Sequence, residues 1–200
     1  MTKAKRKGRS ILNRLTPDEA MQILRTLLAR HPALLPEAEK IAGAAVAAVD
    51  VESVAADVDS DLAALDVDAL YACSGSSRWG YTDPSEAAWE MLEEAVEPYV
   101  SEMERLMDLD MSEAAEKVFK GIILGLYRAR GENTTGVLGW APDFPKVTAL
   151  EVARTFIECM HRRKGEAPPL PEDFLASQVP EWEEPLSRAR GKKPGPRRRE

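Results

Sequence analysis

Thr16-Pro17-Asp18-Glu19 and Asp83-Pro84-Ser85-Glu86 are two copies of one helix-starting device. In each, an oxygen-bearing side chain caps the first free N–H groups, Pro sits where a missing N–H costs nothing, and Glu reaches back to the cap's own N–H. Each device opens a long run with apolar residues at helical spacing, and no other stretch reads as a strand. The expected fold class is therefore all-α, with antiparallel helical hairpins stacked as a HEAT- or TPR-like bundle or short superhelix. No clean repeat period singles out one named repeat.

Working outward from Thr16, the first helix runs from Pro17 to Arg30, with Ala20, Ile23, Leu24, Leu27 and Leu28 on one face. His31-Pro32 ends it, because a residue before Pro is pushed out of the helical region. An alanine-rich helix follows over about Pro36 to Val49. Asp50 then caps a third, carrying Val51, Val54, Ala55, Val58, Leu62 and Leu65. Asp66 starts a short fourth helix through Tyr71 and Ala72. The helix from Pro84 carries apolar residues as far as Leu106 and contains Pro98, where a kink or break is expected. Asp110 or Ser112 starts the most apolar helix, whose Gly121 and Gly125 share a face and call for a tight helix–helix contact. Gly131 closes it, and a last major helix spans about Lys146 to Arg163.

The 200 residues are 44% apolar and 30% charged, the balance of a globular protein with one substantial core. No apolar run approaches the roughly 20 residues of a membrane span, and no secretory signal is expected from the basic N-terminus. Cys73 and Cys159 lie far apart, which suggests two buried, unpaired thiols in a reduced, cytoplasmic setting. The net charge of −7 is unevenly spread. Residues 1–14 hold six basic and no acidic residues, and 186–200 hold seven basic residues against Glu200. The intervening 14 basic and 33 acidic residues make a body of −19. Three segments follow: a disordered basic tail over 1–15, a helical domain over 16–164, and a Pro-rich, basic, extended tail over 165–200. A helical turn near Glu172–Ala176, with Phe174 and Trp182 against the body, is the expected interruption of that tail.

Several stretches resemble a group of uncharacterised bacterial all-helical proteins, some associated with SWIM-type zinc fingers. They are Leu65-Asp66-Val67-Asp68, Ser74-Gly75 with Arg78 and Gly80-Tyr81, Asp83 to Trp89, Glu93 to Pro98, Gly121 to Tyr127, and Trp140-Ala141-Pro142-Asp143. The resemblance covers about residues 16–145 and implies a helical fold. It implies no zinc site, since a SWIM finger needs clustered Cys and His ligands that this chain lacks.

Candidate chemistry is sparse. Glu158 and His161 have the Glu-x-x-His spacing of di-iron bundles, but the second such pair is missing: position 28, three before His31, is Leu28. Neither histidine is near Cys73 in sequence, and no Cys/His pair has zinc-ligand spacing. No catalytic residue, metal or cofactor is assigned. Carboxylates recur one turn apart at Asp57 and Asp61, and along Glu86, Glu90, Glu93 and Glu97, where a solvated face is the expectation. Recognition is expected at Arg78, Trp79 and Tyr81, with Trp140 beside them, because such side chains offer large contact areas. The function expected is a non-enzymatic helical scaffold or adaptor binding another protein. The alternative is a nucleic-acid-associated protein holding its polyanion through Lys5, Arg6, Lys7, Arg190, Lys192, Lys193, Arg197, Arg198 and Arg199.

Overall fold

A computed structural model describes residues 11–77, 80–131, 136–164 and 170–189. Among these, helices dominate and the fold is all-α. The chain divides into a smaller unit up to Val46 and a larger one from Ala47 onward.

The smaller unit holds a 3-10 turn (Ile11–Arg14), α1 (Pro17–Arg30), a second 3-10 turn (Pro32–Leu34) and most of α2 (Leu35–Ala47). Structure therefore begins within the segment expected to be disordered. The start of α1 is the anticipated capping box. The Glu19 N–H donates to Thr16 Oγ1 at 3.3 Å, and the Thr16 N–H donates to Glu19 Oε2 at 2.9 Å. Neither α1 nor α2 contains a buried residue.

The larger unit is built on α3 (Val51–Ala63), α4 (Val67–Cys73), α5 (Pro84–Asp108), α6 (Ser112–Ala129) and α7 (Phe144–Lys164). Asp50, Asp66 and Asp83 cap α3, α4 and α5, each accepting a backbone N–H within 2.9 Å. Helix α6 packs against α3, α5 and α7 and forms the centre of the core. Phe119, Ile122, Ile123 and Leu126 are fully buried on it. Phe119 stacks on Phe156 of α7 with ring centroids 4.5 Å apart.

The closest approach in this core is α3 on α6. A Cβ placed on Gly121 would lie 2.5 Å from Val54 Cβ and 3.1 Å from the Val51 carbonyl oxygen. One placed on Gly125 would lie 2.7 Å from Val58 Cβ and 2.8 Å from the Ala55 carbonyl oxygen. The two glycines therefore admit the backbone and β-branched side chains of α3 at a distance any other residue would prevent. A bidentate ion pair, Arg128 to Glu52 at 2.7 and 2.9 Å, lies across the same pair of helices.

Helix α5 is continuous through Pro98, so of the expected kink or break the break is absent. It ends in a Schellman turn: Asp110, at φ 60°, donates to the Met107 carbonyl and Met111 donates to the Leu106 carbonyl. Asp110 thus ends α5, and Ser112 is the first residue of α6.

Further sequence expectations do not hold. Residues 75–82 are not simply a loop: β1 (Gly75–Ser77) pairs antiparallel with β2 (Gly80–Thr82), in register Gly75 to Thr82 and Ser77 to Gly80. Gly75 and Gly80 take φ of 90° and 139°, conformations closed to most other residues, and they frame the hairpin. Cys73 is exposed at the end of α4, and only Cys159 is buried. Residues 170–189 are not extended around a single turn: the expected turn near Glu172–Ala176 is present, but within a more extensive helical fold. They form α8 (Glu172–Gln178), a 3-10 turn (Pro180–Trp182) and α9 (Glu183–Arg188). Leu170, Leu175, Val179, Trp182 and Leu186 are buried there, and apolar burial outweighs the local proline density. Trp182 meets Tyr127 edge-on at 5.1 Å, and Arg130 reaches Glu181 at 2.9 Å. The basic residues at 1–10 and 190–200 lie outside the described residues.

The seam between α3 and α6 yields a direct test. Gly121→Ala is expected to lower the unfolding free energy by about 1–3 kcal/mol. Gly131→Ala, where an added Cβ meets open space, should stay within about 0.5 kcal/mol of the parent. Urea denaturation midpoints compare the two.

Candidate functional site

The most prominent exposed aromatic surface lies where α4 meets the 3-10 turn Val137–Trp140. Leu70 is fully buried and fixes α4, so the next side chain, Tyr71, turns outward and is 54% exposed. On the other side, Val137 and Leu138 are buried and hold their turn against the core, leaving Trp140 38% exposed. The Tyr71 and Trp140 rings meet edge-to-face, 6.1 Å apart at 86°. Exposed aromatic pairs held by buried neighbours present large, low-entropy contact area.

Of the residues expected to mediate recognition, Trp140 is part of this pair. Tyr81 is on β2, 66% exposed. Arg78 and Trp79, between the two strands, lie outside the described residues. The hairpin carrying Tyr81 follows α4 directly, so chain continuity links Tyr81 to Tyr71. Tyr71 was not singled out from sequence. The sequence places it only near the end of a short helix, and its pairing with distant Trp140 leaves no local signal.

A second feature is an acidic groove of about 830 Å³ between α5 and α7. Glu93, Glu94, Glu97 and Glu151 line it, with Val96 and Val152 beneath and Thr148 and Thr155 alongside. Pro98 also lines it, and its missing N–H withdraws the usual helical donor from the Glu94 carbonyl. Two of the carboxylates are positioned by neighbours on α5. Trp89 Nε1 donates to Glu93 Oε1 at 3.1 Å, and Ser101 Oγ donates to Glu97 Oε1 at 3.1 Å. The row predicted as a solvated face is exposed at Glu86, Glu90, Glu93 and Glu97, and its last two members border the groove.

Other candidates are dispersed. The Cys159 thiol is buried in α7, and burial pushes its pKa up although Arg162 Nη2 donates to the sulfur at 3.1 Å. That environment suits an inert thiol rather than a nucleophile. His161 is exposed one turn before the end of α7, and His31 is exposed after α1, in the other unit. Among the described residues, no group of three or more His, Cys, Asp or Glu side chains is placed to hold a metal ion. No described helix is long and apolar enough to cross a membrane.

Asp61 has a structural role. Its Oδ2 accepts from the Tyr99 hydroxyl at 2.6 Å, tying α3 to α5. Desolvation chiefly, followed by the Asp61 hydrogen bond and the nearby Asp57 charge, pushes the Tyr99 pKa well above the usual phenol value.

Neither a family model, a curated protein nor a solved structure matches this chain.

The Tyr99 bridge predicts an alkaline sensitivity. The folded protein keeps the Tyr99 proton to higher pH than the unfolded chain does. Its contribution is therefore complete below about pH 10 and lost as pH rises beyond that. Urea titrations between pH 8 and 11 should show stability falling more steeply in the parent than in Tyr99→Phe.

Proposed function

We propose that this protein is a helical adaptor that binds another protein through an aromatic surface that includes Tyr71, Tyr81 and Trp140, with Arg78 and Trp79 as further contact residues expected from sequence. The observation that carries the reading is the exposed edge-to-face pair of Tyr71 and Trp140, held outward by buried neighbours. A solvated aromatic pair of this kind has unspent contact area and a fixed geometry, both properties of interface anchors. The acidic groove and the strongly negative body favour a basic partner through long-range attraction. In this proposal the larger unit acts without catalysis, in the cytoplasm, as a HEAT- or TPR-like stack. Kinship with the SWIM-associated bacterial group belongs to the same proposal.

A second reading keeps one observation in its favour: the charge contrast between basic ends and acidic body. In it, residues 1–14 and 186–200 hold nucleic acid by counterion release, and binding would weaken steeply with salt.

Tyr71→Ala combined with Trp140→Ala is expected to weaken capture of the native-host partner by about 30-fold or more, with the thermal melt preserved. Quantitative affinity purification with both variants reads this directly. Retained capture by the doubly substituted protein would contradict the aromatic surface. Salt-sensitive binding lost only on deleting both basic ends would instead support the nucleic-acid reading.

A further inference from the structure

Helix α1 carries the features of a strongly amphipathic helix but buries none of its residues. Met21, Ile23, Leu24 and Leu27 are between 43% and 49% exposed, and Ile41 on α2 is 61% exposed. An isolated helix of 14 residues is marginal in water, and helices of this length owe most of their stability to packing of an apolar face. The face of α1 therefore calls for a partner.

The chemistry of its flank indicates which one. A concavity of about 510 Å³ runs along one side of α1, with Leu15, Ile23 and Leu27 as apolar lining. Glu19 stands at its N-terminal end and Arg30 at its C-terminal end. The Glu19 carboxylate is fixed by the capping box: its Oε2 accepts from the Thr16 N–H at 2.9 Å and from the Thr16 hydroxyl at 3.1 Å. Those bonds hold it below the usual carboxylate range and ionised. A helix that fits this concavity must present apolar residues centrally, a cation near Glu19 and an anion near Arg30. Helix α1 itself, turned end for end, meets that description.

We propose that the smaller unit is a self-association module, in which α1 packs antiparallel on α1 of a second copy. Glu19 of each chain faces Arg30 of the other across a two-fold axis, and Ile23, Leu24 and Leu27 fill the space between. Moving two residues inward from each end of that register places Met21 opposite Leu28. Antiparallel packing also opposes the two helix dipoles favourably. The interface is isologous and closes as a dimer. It uses no residue of the aromatic surface, so its success or failure is separate from the adaptor reading.

The test uses the full chain. Sedimentation velocity at micromolar concentration should give twice the chain mass for the parent protein. Ile23→Glu with Leu27→Glu should give the single-chain mass while the cooperative melt of the larger unit is retained. Arg30→Glu should raise the dimer dissociation constant about tenfold at low salt, less at high salt. In a Cys73→Ser background, Met21→Cys protein mixed with Leu28→Cys protein under glutathione disulfide should form a disulfide-linked pair, and neither alone should. A parent protein of single-chain mass up to about 100 µM overturns the proposal. So does a dimer indifferent to Ile23→Glu with Leu27→Glu, or self-linking of Met21→Cys, which marks a parallel arrangement. A monomer whose larger unit melts lower in the Ile23→Glu, Leu27→Glu variant would assign the apolar face to the chain's own larger unit and equally overturn it.

Discussion

Two missing side chains set the geometry of the larger unit. At Gly121 and Gly125 nothing stands between α6 and α3, and Val54 and Val58 occupy the volume that side chains there would claim. Because α6 also packs on α5 and α7, the close approach of α3 fixes one wall of the core that the others complete. The Arg128–Glu52 ion pair at its edge orients the two helices that the glycine contact has already brought together, while the Tyr99–Asp61 hydrogen bond ties α5 to α3. Exposed ion pairs of this type contribute little alone. Interlocking volume contributes more, because a packed interior cannot yield to an added methyl group without moving backbone.

The smaller unit follows the opposite rule. It has well-formed helix signals, a complete capping box and an apolar stripe, yet none of its helical residues is buried. Local chemistry suffices to start and stop α1, whereas burial of its stripe needs a second surface. Glu19 and Arg30 stand at the two ends of that stripe, and in the proposed dimer their charges would set its register.

The sequence made the helices legible wherever a side chain acts within its own turn. Thr16, Asp50, Asp66 and Asp83 each cap the helix they were expected to cap. The spacing of Gly121 and Gly125 announced a tight contact, though not that Val54 and Val58 would fill it. The β-hairpin was missed because two strands of three residues, with Tyr81 the one aromatic or apolar side chain among Gly, Ser and Thr, are too short to carry an alternating apolar signal. Within residues 170–189 the turn near Glu172–Ala176 and the packing of Trp182 were legible, whereas α9 was not, because seven prolines after Gly165 masked an apolar series that is buried. Of the proposed aromatic surface, Tyr81 and Trp140 were singled out from sequence. Tyr71 was not, because its exposure depends on how Leu70 is buried and where Trp140 arrives.

The account rests on a chain of two characters: one unit locked around a glycine seam, the other a pair of helices that bury no residue and, as proposed, complete their packing against a second copy. Native-state hydrogen exchange, followed residue by residue at two protein concentrations, tests that contrast most directly. The account predicts that amides of α3 and α6 are the slowest and exchange identically at both concentrations, while protection in α1 rises with concentration. Early exchange in α6, or protection in α1 that does not depend on concentration, would contradict it.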